Sequence, residues 1–291
     1  MPSLKHIRKR ITSVRNTQKI TKAMKMVAAA NLRRSQDAIM NTRPYARRID
    51  GLIKGLCEVL DEYMHPLMVP HDEVKKVALL VITSDKGLCG AFNSNILRTA
   101  NRVLREDWQN RQVELSLIGR KSFEYFKRRP QFVVTHQFPE IFHKGHEIFE
   151  EADAVAGQLV ADFKEGRVDE VWVLYNEFKS AISQKVTLER LVPIRPDDEA
   201  ESHVPHDYSY EPKREEILDA LVPQHLSIQI YRCLLESLAS EYGARMSAME
   251  GATRNAGEMI DRLTLQYNRV RQAAITKELM EIIGGAEALN G

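Results

Sequence analysis

Apolar side chains recur along residues 3–58 at the three- and four-residue spacing of one helix face. The first group, and a second group that follows after a slip, are Leu4, Ile7, Ile11 and Val14, then Ile20, Met24 and Val27. Ser3 precedes the pattern and can cap the helix. Pro44 is expected to bend or interrupt the helix, because proline lacks a backbone N–H and its ring clashes with the preceding turn.

Residues 212–288 carry a second helical pattern, in which Pro223 permits a bend near the start. From Met246 onward the spacing alternates strictly between three and four residues, which indicates a left-handed coiled coil. The repeating positions are Met246, Met249, Thr253, Ala256, Ile260, Leu263, Tyr267, Val270 and Ala274. Glycines near this repeat either allow a close approach of another segment or are simply tolerated; they are Gly243, Gly251 and Gly257.

The segment between the two helical regions alternates strands with helices. Residues 77–83 form a continuous apolar run, typical of a strand covered on both faces, and a tight loop follows at 84–90. The other predicted strands are 112–118, 170–176 and 181–192, and the predicted helices are 92–106, 120–128 and 146–165. Residues 196–212 are rich in proline and acids and are predicted to be a loop.

This order predicts an α/β domain inserted between two long terminal helices that form an antiparallel coiled coil. The first predicted domain is residues 1–58, the N-terminal helix of the coiled coil. The second is residues 74–195, a small Rossmann-like α/β domain, and the third is residues 212–288, the C-terminal helix.

The net charge of +2 conceals an uneven distribution. Residues 1–48 carry 13 Lys and Arg and a single acid, Asp37, whereas the rest of the chain has a net charge of −10. Such a basic segment is either a solvated helix face or a surface for an acidic partner. The partner could be a nucleic acid, an anionic membrane or acidic protein loops.

The composition excludes several classes of protein. Apolar residues make up 43% of the 291 residues, enough for a core, and no apolar run is long enough to span a membrane. The N-terminus lacks the apolar stretch of a secretory signal. Three cysteines without a CxxC pair argue against a disulfide framework and favour a reducing compartment.

The loop 84–90 is the best candidate for a phosphate-binding loop, because it follows a strand and precedes a helix. It lacks both the GxxxxGK(S/T) and the GxGxxG spacing, so a tight structural turn is favoured. Cys89 has Lys86 nearby but no histidine close in sequence to act as a base, which favours a buried structural cysteine.

Histidines at metal-compatible spacings are His143 and His146, beside Glu147, and His203 and His206. Neither group has a cysteine partner or an HExxH frame, so we expect surface histidines. The sequence therefore predicts no metal, no cofactor and no catalytic group.

Three runs of residues resemble the gamma subunits of F-type ATP synthases. They are IRKRITSVRNTQKITKAMKMVAAANLRR at 7–34, ITSDKGLCGAFN at 82–93, and ASEYGARMSAMEGATRNAGEMIDRLTLQYNRVRQAAITKELMEIIGGAEAL at 239–289. They occur in the family's order and span nearly the whole chain. The regulatory insertion with a cysteine pair found in the chloroplast form is absent, which favours the bacterial form.

The resemblance implies a mechanical function. In this family the terminal helices form a central rotor shaft inside a ring of three alpha and three beta subunits, and catalysis occurs on the beta subunits. The α/β domain lies at the foot of the shaft, near the epsilon subunit and the membrane c-ring. Ion flow turns the c-ring and shaft, and reverse rotation accompanies ATP hydrolysis. The resemblance implies peripheral attachment to the cytoplasmic face of the inner membrane.

The resemblance also implies two groups of contact residues. The group near acidic loops at the base of the catalytic ring is Lys22, Met24 and Lys25. The group that contacts the beta-subunit catch loops is Arg271, Gln272 and Thr276. A large basic residue at Met24 is expected to add an unwanted ion pair and to weaken coupling.

Two other functions remain open from the sequence. A nucleic-acid-binding protein could use the basic helix, although that segment also carries an apolar stripe and only one aromatic residue, Tyr45. A small α/β enzyme could act on a phosphorylated ligand at residues 84–90. Salt-dependent DNA binding would favour the first, and saturable nucleotide binding the second.

Overall fold

The computed structural model describes residues 3–59, 64–71, 73–139, 141, 148–194, 211 and 213–290. The α-helices in these ranges are α1 (Leu4–Val59), α2 (Phe92–Arg102), α3 (Arg120–Phe126), α4 (Ile148–Lys164) and α5 (Arg214–Asn290). The strands are β1 (Lys76–Ile82), β2 (Gln112–Ile118), β3 (Val133–Phe138), β4 (Glu170–Phe178) and β5 (Gln184–Val192). A membrane-crossing helix, sufficiently long and apolar, is not found in the described part of the chain.

Both long terminal helices predicted from the apolar pattern are present. Ser3 caps α1, since its Oγ accepts a hydrogen bond from the His6 N–H at 3.3 Å. Pro44 lies inside α1 and Pro223 inside α5, so the interruption considered at Pro44 does not occur. Each proline removes one backbone donor, and the many remaining hydrogen bonds of such long helices preserve the helix around it.

Contacts within the chain define two units, and the division cuts both long helices. The coiled-coil unit comprises residues 1–27 and 246–291, and the α/β unit comprises residues 28–245. The domain bounds predicted from the sequence follow helix ends instead, and they stay a prediction.

The coiled-coil unit pairs the start of α1 with the end of α5. Thr21 Oγ1 lies 2.8 Å from Thr253 Oγ1, and Lys25 Nζ lies 2.7 Å from Glu250 Oε1. Residue numbers rise along α1 as they fall along α5, which confirms the antiparallel coiled coil. All of the predicted heptad positions of α5, from Met246 to Ala274, are buried or half-buried.

The slip predicted within α1 is wrong. Ile20 and Val27 are 60% and 61% exposed, although Met24 is half-buried. The packed face instead continues through Gln18 and Thr21, both of which bond to Thr253 of α5. The packed positions keep one phase without a slip: Leu4, Ile7, Ile11, Val14, Gln18, Thr21, Lys25, Ala28, Leu32, Ser35, Ile39, Thr42, Ala46, Ile49 and Ile53.

The α/β unit is built on a five-stranded sheet of order β3-β2-β1-β4-β5. The first four strands in this order are parallel and β5 is antiparallel to β4. The central strand β1 is buried on both faces, as the apolar run predicts. Leu79, Leu115 and Phe126 belong to the hydrophobic core of this unit.

The remaining predictions differ from the structure at a few places. Strand β3 is missing from the predicted elements because it is an edge strand in which only alternate residues are half-buried. A π-helical turn at Val103–Asp107 follows α2 and accounts for the rest of the predicted helix 92–106. The predicted loop 196–212 and the start of the predicted helix 146–165 lie largely outside the described residues.

Candidate functional site

The three residues predicted to meet acidic loops lie in different surroundings on α1. Lys22 is exposed, whereas Met24 and Lys25 are half-buried. Lys25 is committed to an ion pair with Glu250 across the coiled coil, 2.7 Å between Nζ and Oε1. The Lys25 ammonium holds the pKa of Glu250 below its usual value. Only Lys22 therefore offers an unshared charge to a partner.

Lys22 and Lys25 line a groove of about 700 Å³ between α1 and α5 of the coiled-coil unit. The other lining residues are Gln18, Lys19, Met26, Glu250, Thr253, Arg254 and Gly257. Four of the nine side chains are cationic and one is acidic, so the groove favours an acidic occupant. Sequence reasoning missed the α5 residues of this groove, since only the helix pairing brings them beside Lys22.

Apolar side chains are exposed on the same part of α1. Met26 is 59% exposed, and Ile20 and Val27 are exposed to a similar degree. A surface used only for phosphate backbones has no need of exposed apolar groups, whereas a protein partner can cover them. The combination of charge and apolar area therefore favours an acidic protein segment over nucleic acid.

The second predicted group lies near the end of α5. Arg271, Gln272 and Thr276 are all exposed. Since Thr21 faces Thr253, the start of α1 at Leu4 faces roughly residue 270 of α5. The three residues therefore lie beyond the segment that α1 covers. The two predicted groups are not brought together, because Thr253 and Arg271 are about 27 Å apart along the helix.

The end of α5 also exposes a set of large apolar side chains. The exposed fractions are 50% for Ile275, 52% for Leu279, 64% for Met280, 70% for Ile282 and 52% for Ile283. Contiguous exposed apolar residues on a single helix mark a surface that a partner covers. We call residues 271–283 the α5 tip.

The loop 84–90 is a structural turn, as favoured from the sequence. The Ser84 N–H donates to Asn93 Oδ1 at 3.0 Å, and Asp85 Oδ1 accepts from the Arg120 N–H at 2.9 Å. The side chains of Asn93 and Asp85 thus already accept from backbone N–H groups that a bound phosphate would need as donors. Cys89 is 2% exposed, and burial raises the pKa of its thiol, so it is not an activated nucleophile.

Helix α5 occupies the crevice where α/β sheets of this kind bind ligands. That crevice lies at the carboxyl ends of the strands where the strand order reverses, here between β1 and β4. The Asn176 N–H donates to Ser237 Oγ at 3.4 Å, and Ser240 Oγ donates to Asn176 O at 3.1 Å. Arg245 donates to the carbonyl of Gly87 at 3.1 Å. Side chains of α5 therefore stand where a nucleotide would bind.

The other candidate chemistry is accounted for as far as the structure describes it. No group of residues that could hold a metal occurs within the described ranges. The histidines singled out earlier, together with Glu147, lie outside these ranges. Cys57, Cys89 and Cys233 are all free thiols.

Comparison with known proteins agrees with this geometry. A family model described as ATP synthase matches residues 3–289. The ATP synthase gamma chain of an Anaeromyxobacter species is 49% identical over 293 residues, covering 99% of this chain and all of the relative. That of Geobacter metallireducens is 45% identical over 292 residues, with full coverage of both chains.

Solved structures show the same fold. A chain of the central stalk and c-ring of the Tetrahymena thermophila mitochondrial ATP synthase is 30% identical with a TM-score of 0.63, covering 80% of this chain and 99% of that one. A chain of the OSCP/F1/c-ring assembly of the Euglena gracilis enzyme has a TM-score of 0.70 at 20% identity, covering 98% and 94%. The chain belongs to the family of ATP synthase gamma chains.

Proposed function

We propose that this chain is the rotor shaft that couples ion flow to ATP synthesis and hydrolysis on the beta subunits. Within the family it is a central-stalk subunit of the F-type ATP synthase, and the assembled complex rather than this chain is the catalytic unit. The observation that carries the proposal is the coiled coil whose α5 tip extends past α1 with its apolar side chains exposed. A shaft held in a surrounding ring needs such a tip.

The groove on the coiled coil supports a second contact. Its excess of lysine and arginine suits the acidic loops expected at the base of a ring of three alpha and three beta subunits. Lys22 is the residue free to pair with such loops, while Lys25 acts through the coil by holding Glu250. Exposed Met26, which also lines the groove, adds apolar area beside these charges.

We further propose that the α/β unit lies at the foot of the stalk, near the epsilon subunit and the c-ring. Support comes from the related solved structures, which are assemblies of a c-ring with the central stalk or with F1. Attachment to the membrane would then be peripheral, on the cytoplasmic side of a bacterial inner membrane, and ion transport would be a property of the complex.

Reconstitution with alpha and beta subunits tests the shaft directly. We expect one copy of this chain inside a six-subunit ring by single-particle imaging, with ATPase activity that depends on its presence. A ring that assembles and hydrolyses ATP at the same rate without this chain would refute the proposal.

The α5 tip offers a sharper test in the same assembly. Replacing Arg271 and Gln272 together by alanine is expected to lower ATP-driven rotation, since both side chains are exposed for contact with the beta subunits. Arg269→Ala is the matched control, because Arg269 is also exposed on α5 but outside the predicted contact group. Equal losses in both variants would remove the specific role of Arg271 and Gln272.

Met24→Lys tests the predicted contact of Lys22, Met24 and Lys25 with acidic loops. The added ammonium is expected to pair with an acidic loop and to lower the number of ions pumped per ATP hydrolysed. Met40→Lys is the control, since Met40 is a 61% exposed methionine elsewhere on α1. An unchanged ratio of ions to ATP in Met24→Lys would contradict the predicted contact.

A further inference from the structure

We propose that a cleft in the α/β unit binds a compact polyvalent oxyanion, such as phosphate or a polycarboxylate, through Arg43 and Arg47. The cleft has a volume of about 440 Å³ and lies between α1, β5 and α5. This volume falls within the usual range for small-molecule sites. The inference does not rest on the rotor function and can stand or fall separately.

The arginines of the cleft have unused hydrogen-bonding capacity. Arg43 and Arg47 are four residues apart, so their side chains lie on the same face of α1 at the cleft. The polar contact of Arg43 is a weak one, 3.7 Å to Met40 Sδ, and Arg47 forms no ion pair within the described residues. Arg190 on β5 is not counted with them, because its guanidinium pairs with Glu170 at 3.9 Å on the opposite face of the strand from Glu189.

Each acidic side chain of the cleft already has a partner among the neighbouring residues. Arg232 Nη2 lies 2.6 Å from Glu189 Oε1, and His225 Nε2 lies 2.6 Å from Asp50 Oδ1. Glu236 lies 3.5 Å from Arg232, and burial raises the pKa of this carboxyl group. An entering anion therefore meets uncompensated arginines rather than free carboxylates.

The lining residues also define the class of ligand. Guanidinium groups match carboxylate and phosphate oxygens with two parallel hydrogen bonds, which favours an oxyanion over chloride. No Phe, Tyr or Trp side chain lines the cleft, so a nucleobase would lack the large aromatic surface on which it usually stacks. These features favour a compact anion over a nucleotide.

Calorimetric titration of the full chain with inorganic phosphate, and separately with citrate, tests the proposal at constant ionic strength. We expect one saturable site for at least one of these anions. The double variant Arg43→Ala/Arg47→Ala is expected to weaken binding about a hundredfold, as two charge-assisted contacts are lost. Arg47→Lys keeps the charge but loses the fork, and is expected to weaken binding about tenfold.

Arg48→Ala is the matched control, because Arg48 is an exposed arginine of the same helix that does not line the cleft. It should bind as the wild type does. Unchanged circular dichroism of the variants at these three arginine positions would show that each chain is still folded. Absence of saturable binding up to about 10 mM anion, an equal loss in Arg48→Ala, or binding only to phosphatidylglycerol vesicles would overturn the proposal.

Discussion

In the α/β unit the central strand β1 is buried from Val77 to Ile82, whereas most seam positions of the coiled-coil unit are only half-buried. Val77, Leu79 and Val81 of β1 are 0% exposed, while Ala256 and Leu263 of the α5 seam are each 8% exposed. A sheet covered on both faces buries its apolar residues by itself, but two helices cover only one stripe of each other. The sheet therefore buries its own apolar residues, whereas the coiled coil leaves apolar surface that a partner can cover.

Polar groups follow the same division. Asp169 of the α/β unit accepts hydrogen bonds at 2.8 Å from the N–H groups of Lys75 and Lys76, and pairs with His71 at 2.9 Å. In the coil, the ion pair of Lys25 and Glu250 is largely open to solvent. The charge of Asp169 therefore holds loops of the α/β unit together, whereas the exposed pair in the coil is open to other molecules.

The largest expected effect comes from truncating the enclosed strand. Leu79→Ala should lower the free energy of unfolding by about 3 kcal/mol, because it leaves a cavity in a core that cannot collapse around it. Leu263→Ala in the coil should cost less, since its surroundings can relax toward solvent. Urea unfolding of the isolated chain measures both, and an equal loss would contradict the difference between the units.

Asp169→Asn is expected to cost about 2 kcal/mol at neutral pH, because a neutral amide removes the negative charge that strengthens the bonds from both backbone N–H groups to Oδ2 and the contact of Oδ1 with His71. Burial alone would raise the pKa of Asp169, but hydrogen bonds from Lys76, His71 and Lys75 hold it below its usual value. A carboxyl with a lowered pKa stabilises the fold above its unfolded pKa, and this contribution is lost as the pH falls.

The difference in unfolding free energy between wild type and Asp169→Asn should therefore be full above about pH 5 and shrink below about pH 4. Unfolding curves across this range measure it. A difference that grows with acidification would show that the sign of the pKa shift is wrong.

One helical glycine in each unit shows the same difference in packing, with a smaller expected effect on stability. A Cβ on Gly243 would lie 2.9 Å from the backbone carbonyl oxygen of Ala181, so Gly243→Ala should lose about 1–2 kcal/mol. Gly251 of the coil has no atom within 4 Å of such a Cβ, so Gly251→Ala should gain about 1 kcal/mol. Thermal unfolding of the two variants should shift in opposite directions, and a shift in one direction for both would contradict this.

The smallest effect is expected from Lys25→Ala. Its ion pair with Glu250 is exposed and screened by solvent, so the unfolding midpoint of the isolated chain should barely move. Coupling in the assembled complex should change more, because Glu250 is then left unpaired in the groove. A large loss of stability in the isolated chain would show that this pair holds the coil together.

The sequence predicted most of the fold because its signals are local. The strict repeat of α5 and the apolar run of β1 are visible from residue types alone. The residues of α1 that face the seam after Val14 could not be identified in this way, because a pattern based on polarity selects the apolar Ile20 over the polar Gln18 and Thr21. Gln18 and Thr21 can be packed in the seam only because Thr253 lies opposite them and provides their hydrogen-bond partners.

Edge position explains the other failure. Strand β3 lies at the end of the sheet, so its outer groups face solvent and its residues show no apolar run. The cleft lined by Arg43 and Arg47 could not be predicted either, because its other walls, which carry Glu189 and Arg232, come from elements that are distant in sequence.

By itself the sequence determined two long helices, an inserted α/β domain, a basic N-terminal face and the family to which the chain belongs. Each of these depends on residue spacing or residue type, which a linear chain already displays. Tertiary structure decided which α1 side chains are buried, that Lys25 is bound to Glu250 while Lys22 is free, and that α5 fills the ligand crevice of the sheet. These features depend on which distant residues meet, and that is settled only when the helices pair and the sheet closes.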